Sequence, residues 1–343
     1  MRGRFLHVLL CWGLLCQPVA FSQAVPPAQD QEPSYKFKSA VNLVSFTATI
    51  TDSTGRYVPG LTKENVGVFE DGTRQQLAMF KFEPEPVSVG IVFDTSGSMR
   101  NKIQDVADAV AHFGATALPD DDIFLMQFAG RAHIVMDFTN DRDRLASAAN
   151  NLRPGGSTVL YDAVSEALDH VMHGKNRRQA LVVITDGEDT NSATSLDYLL
   201  QQAKEEEVLV YCIGIGEISA HNEPGSGSSR SFSLPSILLG GRTVGRRTSR
   251  NGPAGDTVDM YVLNSLARWT GGRAWQIRPN SRGGVDEIDR VTQEISAELR
   301  QQYFLGYYPS NTAHDGTYRA IQVTTNNPDY NVRTRRGYYA PKN

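Results

Sequence analysis

The chain has 343 residues, 40% of them hydrophobic and 21% charged, with a formal net charge of −4. That balance excludes the disordered and collagen-like classes, and the length suits one large domain with a smaller one, or two of medium size. The mild acidity leaves no electrostatic footprint for nucleic acid, so none is expected as a partner.

The first residues read as an export signal. Arg2 and Arg4 precede an apolar run from Phe5 to Cys16, and Ser22-Gln23-Ala24 puts small residues where a signal peptidase cuts. The run falls short of the ~20 apolar residues that a membrane span requires. Residues 1–24 are therefore expected to be removed, leaving a mature chain without a membrane span, secreted or periplasmic. Removal takes two arginines and no acids, moving the formal charge from −4 to −6. It also takes Cys11 and Cys16, so Cys212 stands alone and stability must come from packing rather than a disulfide. Cys212 lies in the apolar run Val208 to Ile213 and is expected to be an inert core thiol.

Residues 25–40 are rich in Pro, Gln and Ser and read as a flexible lead-in. From Val41 onward Val44, Phe46, Ala48 and Ile50 alternate with Ser45, Thr47 and Thr49, the period of a half-buried strand. Turns at Asp52 to Gly55 and at Asp71-Gly72, with strand-like Val66 to Phe69 and Leu77 to Phe82, predict a small β unit over 41–83.

After Pro84 and Pro86 the rhythm changes. Apolar strands are expected at Val87 to Phe93, Ile123 to Phe128, Ile134 to Phe138, Leu181 to Ile184, Val208 to Ile215 and Arg273 to Ile277. Helical spacing appears between Ile103 and Phe113, Leu160 and Val171, Leu196 and Glu206, Val262 and Trp269, and Val285 and Arg300. Apolar strands alternating with amphipathic helices predict an α/β, doubly wound, mostly parallel sheet over 87–305. The pattern stops over 217–258, which reads as a disordered insertion; its Ser236-Ile237-Leu238-Leu239 patch is either a docking segment or a bland loop. Strand-like stretches return at 303–308, 318–324 and 332–338. The expectation is that residues 306–343 pack with the N-terminal unit as one β-sandwich, with the α/β domain inserted between its halves. The aromatics at Tyr303, Phe304, Tyr307, Tyr308, Tyr318, Tyr338 and Tyr339 are mostly explained by that sandwich core.

The informative segment is Asp94-Thr95-Ser96-Gly97-Ser98, where the first core strand ends and a helix begins. The carboxyl ends of parallel strands are where open α/β sheets place ligands. Asp94, Ser96 and Ser98 occupy every second position, and Gly97 is expected to give a tight bend between the serines. One carboxylate and two hydroxyls suit a hard cation that prefers oxygen. Gly155-Gly156-Ser157-Thr158 adds a hydroxyl before a helix, and Thr185-Asp186-Gly187 adds a carboxylate at another strand end. The same Asp94 and Ser96 could instead simply cap the following helix.

Asp94-Thr95-Ser96-Gly97-Ser98 resembles the Asp-x-Ser-x-Ser signature of von Willebrand factor A domains, Thr158 their later threonine, and Asp186 their final aspartate. The flanks, with Val58-Pro59-Gly60-Leu61-Thr62 and Gly337-Tyr338-Tyr339-Ala340-Pro341, look like the exported bacterial, acidobacterial-type members of that family. The resemblance implies a metal-ion-dependent adhesion site, with Asp94, Ser96, Ser98, Thr158 and Asp186 around Mg²⁺ (or Mn²⁺ or Ca²⁺). It also implies a protein ligand presenting Asp or Glu. An envelope scaffold with a structural or vestigial metal site is the alternative. No catalytic role is expected: the loops hold no histidine, and neither G-x-S-x-G nor a phosphate-binding glycine motif occurs. Asp162 is expected to serve the first turn of its helix. Glu188 and Asp189 are expected to be solvated loop charges or to tune the rim. His170 and His173 are expected on or near the wet side of their helix.

Overall fold

The computed structural model describes residues 43–218, 257–278 and 284–342. The expected export signal (1–24), the lead-in (25–40) and nearly all of 217–258, with the Ser236 to Leu239 patch, lie outside the described residues.

The chain opens with β1 (Val44–Thr51), β2 (Val66–Glu70), β3 (Thr73–Gln75) and β4 (Leu77–Lys81). Asp71 at φ 47° and Gly72 at φ 80° close the two-residue turn between β2 and β3. Two positive φ values in succession match the right-handed twist of a hairpin, which is why Asp-Gly serves here.

The middle of the chain alternates strand and helix: β5 (Val87–Asp94), α1 (Ile103–Thr116), β6 (Asp122–Phe128), β7 (Ala132–Thr139), α2 (Arg142–Asn150), α3 (Leu160–Val171), β8 (Arg178–Thr185), α4 (Leu196–Glu205), β9 (Val208–Ile215), β10 (Glu217–Ile218), β11 (Thr257–Val258), α5 (Met260–Thr270), β12 (Ala274–Ile277) and α6 (Gly284–Arg300). Six strands form one sheet in the order β12-β9-β8-β5-β6-β7, parallel throughout except for β7 at its edge. Alternate residues of β5 feed separate cores. Val89, Ile91 and Phe93 pack with Val106 and Val110 of α1 and Ile295 of α6 on one face. Val92 packs with Val164 of α3 and Leu263 of α5 on the other. Burial on both faces explains why β5, β8 and β9 read as continuous apolar runs rather than alternating ones.

The chain ends with β13 (Gln302–Tyr307), β14 (Tyr318–Thr325), β15 (Asn331–Thr334) and β16 (Gly337–Tyr339). Two four-stranded sheets, β15-β1-β13-β4 and β16-β14-β2-β3, each mix strands from both ends of the chain. Their inner faces share one core of Phe46, Ile50, Val68, Tyr303, Leu305 and Ile321. Strand β13 pairs with β1 and β4, so the α/β unit ends with α6 and not at residue 305. Helix α2 has no counterpart among the predicted elements. The 217–258 stretch is not patternless at its ends, because β10 and β11 pair in parallel there.

The outer face of β1 is buried as well. Ser45 and Thr49 are 5% and 2% exposed. Thr49 Oγ1 donates to Glu298 of α6 (3.2 Å), which also accepts from Tyr211 of β9 (2.8 Å) and Arg333 of β15 (2.5 Å). Gln302 donates to Thr49 and Tyr211 and accepts from Arg178 of β8. A polar network thus joins the sandwich to the α/β unit. Buried donors and acceptors need such partners, since an unmade bond there costs about 1–3 kcal/mol.

Candidate metal centre

The chain leaves β5 toward β6 on one side and reaches β8 on the other. The carboxyl ends of β5 and β8 therefore lie side by side, with Phe93 paired to Ile184, at a switch point of the sheet. Asp94 ends β5 and Thr185 ends β8, both fully buried. Thr185 Oγ1 donates to Asp94 Oδ2 at 2.6 Å, and the Ser96 N–H donates to Asp94 Oδ1 at 2.7 Å.

Residues 97–101 form a 3₁₀ turn for which Ser96 is the capping position, yet the Ser96 side chain makes no capping bond. Helix α1 begins at Ile103 after Lys102, also without a side-chain cap. Asp94 and Ser96 do not cap α1. Instead Ser96 Oγ and Ser98 Oγ lie 3.0 Å apart, and Ser98 Oγ donates to Asp186 Oδ1 at 2.7 Å. Gly97 departs from expectation. It has no positive φ, and a Cβ on it would meet nothing within 4 Å.

The glycine turn supplies the third wall. The Gly155 N–H donates to the Thr95 carbonyl (2.7 Å), tying this turn to the Asp94 loop. Gly156 sits at φ 98°, where an added Cβ would come 3.0 Å from the Gly130 nitrogen. Both demands require glycine. Thr158, 6% exposed, is held by Thr190, whose hydroxyl accepts its N–H and whose own N–H reaches the Thr158 carbonyl. A Cβ placed on Gly187 would lie 3.3 Å from Thr158 Oγ1 and 3.8 Å from Asp94 Oδ2. The glycine at 187 thus lets the backbone pass close to both oxygens.

The structure thus brings Asp94, Ser96, Ser98, Thr158 and Asp186 to one rim. Among the described residues, no group of three or more His, Cys, Asp or Glu is arranged to hold a metal; the donors here are two carboxylates and three hydroxyls. That all-oxygen set fits a hard divalent cation. Burial pushes the Asp94 carboxyl up to about 6, against its bonds from Thr185 and Ser96, and the Asp186 charge adds to the rise. Two buried carboxylates this close call for positive charge. One source is already present: Lys102 Nζ lies 2.7 Å from Asp186 Oδ2, with the two side chains 13% and 0% exposed.

Lys102 was not singled out by the sequence, because a lysine at the start of a helix carries no distinctive signal. Asp189 has a definite task. Its carboxylate accepts the Tyr161 N–H at the start of α3 and the Ser192 hydroxyl, so it is neither a free loop charge nor part of the oxygen set. Asp162 stands in the first turn of α3, as expected, and its carboxylate also accepts the backbone N–H groups of Ala193 and Thr194. His170 is half-buried near the wet side. It lies against Phe124 and Phe138 and meets Asp137 at 3.0 Å, while His173 is exposed. Cys212 is buried in the core, as expected, and burial pushes its thiol far up.

Residues 89–188 match the family model of the von Willebrand factor type A domain. A Borreliella burgdorferi protein described as uncharacterized is 26% identical over 197 residues, 54% of this chain and 52% of its own, so the chain spans about half the length of that relative. A von Willebrand factor type A structure from Catenulispora acidiphila aligns with a TM-score of 0.47 and 15% identity over 89% of this chain and 64% of its own. An aerotolerance-related membrane protein from Bacteroides fragilis, with multiple mutations to serines, aligns with a TM-score of 0.45 and 18% identity over 63% and 99%. Proximal thread matrix protein 1 from the mussel byssus, with a zinc-occupied MIDAS motif, aligns with a TM-score of 0.46 and 14% identity over 67% and 49%.

Proposed function

From the premise that the chain carries a von Willebrand factor type A domain, we propose that it is an exported, non-enzymatic binding module whose three-loop rim holds a divalent cation and offers it to an acidic side chain of a partner protein. One observation carries this reading: oxygens from three separate loops converge at the ends of β5 and β8, with Ser98 bridging to Asp186 at 2.7 Å. Asp94 and Asp186 bring the two negative charges, and Ser96, Ser98 and Thr158 bring neutral oxygens. Thr185 fixes the direction of Asp94. When bound, Mg²⁺ (or Mn²⁺ or Ca²⁺) supplies a positive point at which a carboxylate oxygen can replace water. Both carboxylates serve as acceptors for Ser, Thr, Lys and backbone donors, which suits holding a cation rather than moving a proton. Among the described residues, no helix is long and apolar enough to cross a membrane.

An envelope scaffold with a vestigial site is the second reading, and the Lys102–Asp186 pair favours it, because the protein then supplies its own counter-charge. Calorimetric titration of Mg²⁺ and Mn²⁺ into the purified protein separates the two. Saturable one-to-one binding, lost in folded Asp94→Ala and Ser96→Ala variants, is expected. Wild type and Asp94→Ala that behave alike would overturn the metal-dependent reading and leave the scaffold.

A further inference from the structure

We infer that Lys102 sets the affinity of the rim for its cation by competing for Asp186. The inference rests on the metal-binding reading above and adds a residue and a mechanism of control to it.

The geometry is direct. Asp186 has both oxygens engaged by the protein: Oδ1 accepts from Ser98 at 2.7 Å, and Oδ2 meets the Lys102 ammonium at 2.7 Å. Asp186 is completely buried, and Lys102 is 13% exposed. An ammonium so deeply placed has given up most of its hydration, and its attraction to Asp186 offsets that loss. Lys102 is also fixed along the chain. Its N–H donates to the Met99 carbonyl at 2.8 Å, its own carbonyl accepts from Val106 at 3.1 Å, and Met99 is wholly buried. The root of the side chain is therefore anchored, and a move of the charge must come from the flexible stem.

A cation entering the rim needs the carboxylate that Lys102 holds. It also meets the like charge that Lys102 holds against Asp186, in surroundings where such repulsion is poorly screened. Binding therefore requires the ammonium to leave Asp186, and the stem gives it a way out, since its exposed fraction already touches solvent. Two consequences follow for the chain's own residues. Without a cation, Lys102 neutralises Asp186 and keeps the loops converged. With one, the ammonium is turned outward at the edge of the rim.

Two measurements test this, one of which needs no variant of Lys102. The first compares Mn²⁺ binding by calorimetry in wild type, Lys102→Met, which keeps the apolar stem, and Lys102→Arg, which keeps the charge. Lys102→Met is expected to bind at least about tenfold tighter than wild type, and Lys102→Arg within about threefold of it. The second follows acetylation of Lys102 by an amine-reactive ester, read by peptide mass spectrometry. In wild type the rate is expected to rise several-fold when Mn²⁺ is added and to stay unchanged in Asp94→Ala. Wild type that binds Mn²⁺ as tightly as Lys102→Met, or a Lys102 acetylation rate that Mn²⁺ leaves unchanged, would overturn the competition while sparing the metal site. Absence of Mn²⁺ uptake in wild type, Lys102→Met and Lys102→Arg alike would remove both. If Lys102→Met fails to fold, the wild-type acetylation rate decides alone.

Discussion

Replacing Arg333 by methionine removes the cation that faces Glu298 at the junction of sandwich and α/β unit. Glu298 is 2% exposed and accepts from Thr49, Tyr211 and Arg333. In the variant two neutral donors remain and the buried carboxylate has no guanidinium. Removing one partner of a fully buried pair costs about 3–5 kcal/mol, but the Arg333 side chain is 30% exposed, so water reaches that side and the loss is nearer 2–3 kcal/mol. At roughly 2 °C per kcal/mol for a chain of this size, the melting temperature should fall by about 4–6 °C. Adding Glu298→Gln should recover part of the loss, because an amide needs no cation; a coupling of about 1 kcal/mol or more is expected. Urea unfolding of both single variants, the double variant and wild type, followed by far- and near-ultraviolet circular dichroism, supplies the cycle. A loss below about 0.5 kcal/mol in Arg333→Met, or strictly additive effects, would refute the view that this ion pair fastens the two units.

Three further outcomes are expected. Gly90→Ala puts a methyl group 2.3 Å from the Phe124 ring and 2.5 Å from Leu181, between strands that neighbours hold on both sides; a loss of about 2 kcal/mol or more is expected by urea titration. The Cys212 thiol should resist a disulfide reagent in native buffer and react fully in denaturant; stoichiometric native labelling would contradict its burial. Burial, with the charge of Glu298, raises Tyr211 well above its ordinary value, and burial with the bond to Glu70 raises Tyr307. The unfolded chain gives up these protons near pH 10 while the native chain keeps them. Stability is therefore full below about pH 9 and falls by up to about 1.4 kcal/mol per group for each pH unit above ~10. A urea midpoint unchanged between pH 8 and pH 11 would contradict this.

Much of the architecture was legible because burial leaves a period in the chain. Apolar runs such as Val87 to Phe93 mark strands covered on both faces, and the Val44, Phe46, Ala48, Ile50 alternation marks a strand with one apolar face. What that alternation could not reveal is where its polar face goes. Ser45 and Thr49 look like solvent residues until Glu298 and Arg177, distant in sequence, arrive as partners. Helix α2 escaped for a related reason: only Leu145 and Ala149 of its nine residues are buried, too few for a helical stripe, and its start is set by the Asp141 cap. The partial cover over His170 was not legible either, because Phe124 and Phe138, which supply it, come from two other strands. At the rim, the residues with short-range patterns (Asp94, Ser96, Ser98, Thr158 and Asp186) could be read directly. Lys102 could not, since its meaning depends on a carboxylate 84 positions away.

The mixed parentage of the two sandwich sheets has a consequence for the order in which the molecule assembles. Strand β2 pairs with β14 (Val68 opposite Val323) and β1 with β13 (Val44 opposite Tyr307). Closing a flexible loop of more than two hundred residues to make such pairs costs on the order of 5 kcal/mol in chain entropy. A folded α/β unit removes most of that cost, because it delivers the end of β4 and the start of β13 side by side, Lys81 opposite Phe304. The parallel core should form first and act as the jig on which the sandwich closes, with β14 to β16 the last to dock. Pulsed hydrogen exchange should then protect β5, β8 and β9 before β2. Until synthesis reaches Thr325, β2 lacks its main partner, and that unpaired edge is where a nascent chain is most exposed to wrong pairing.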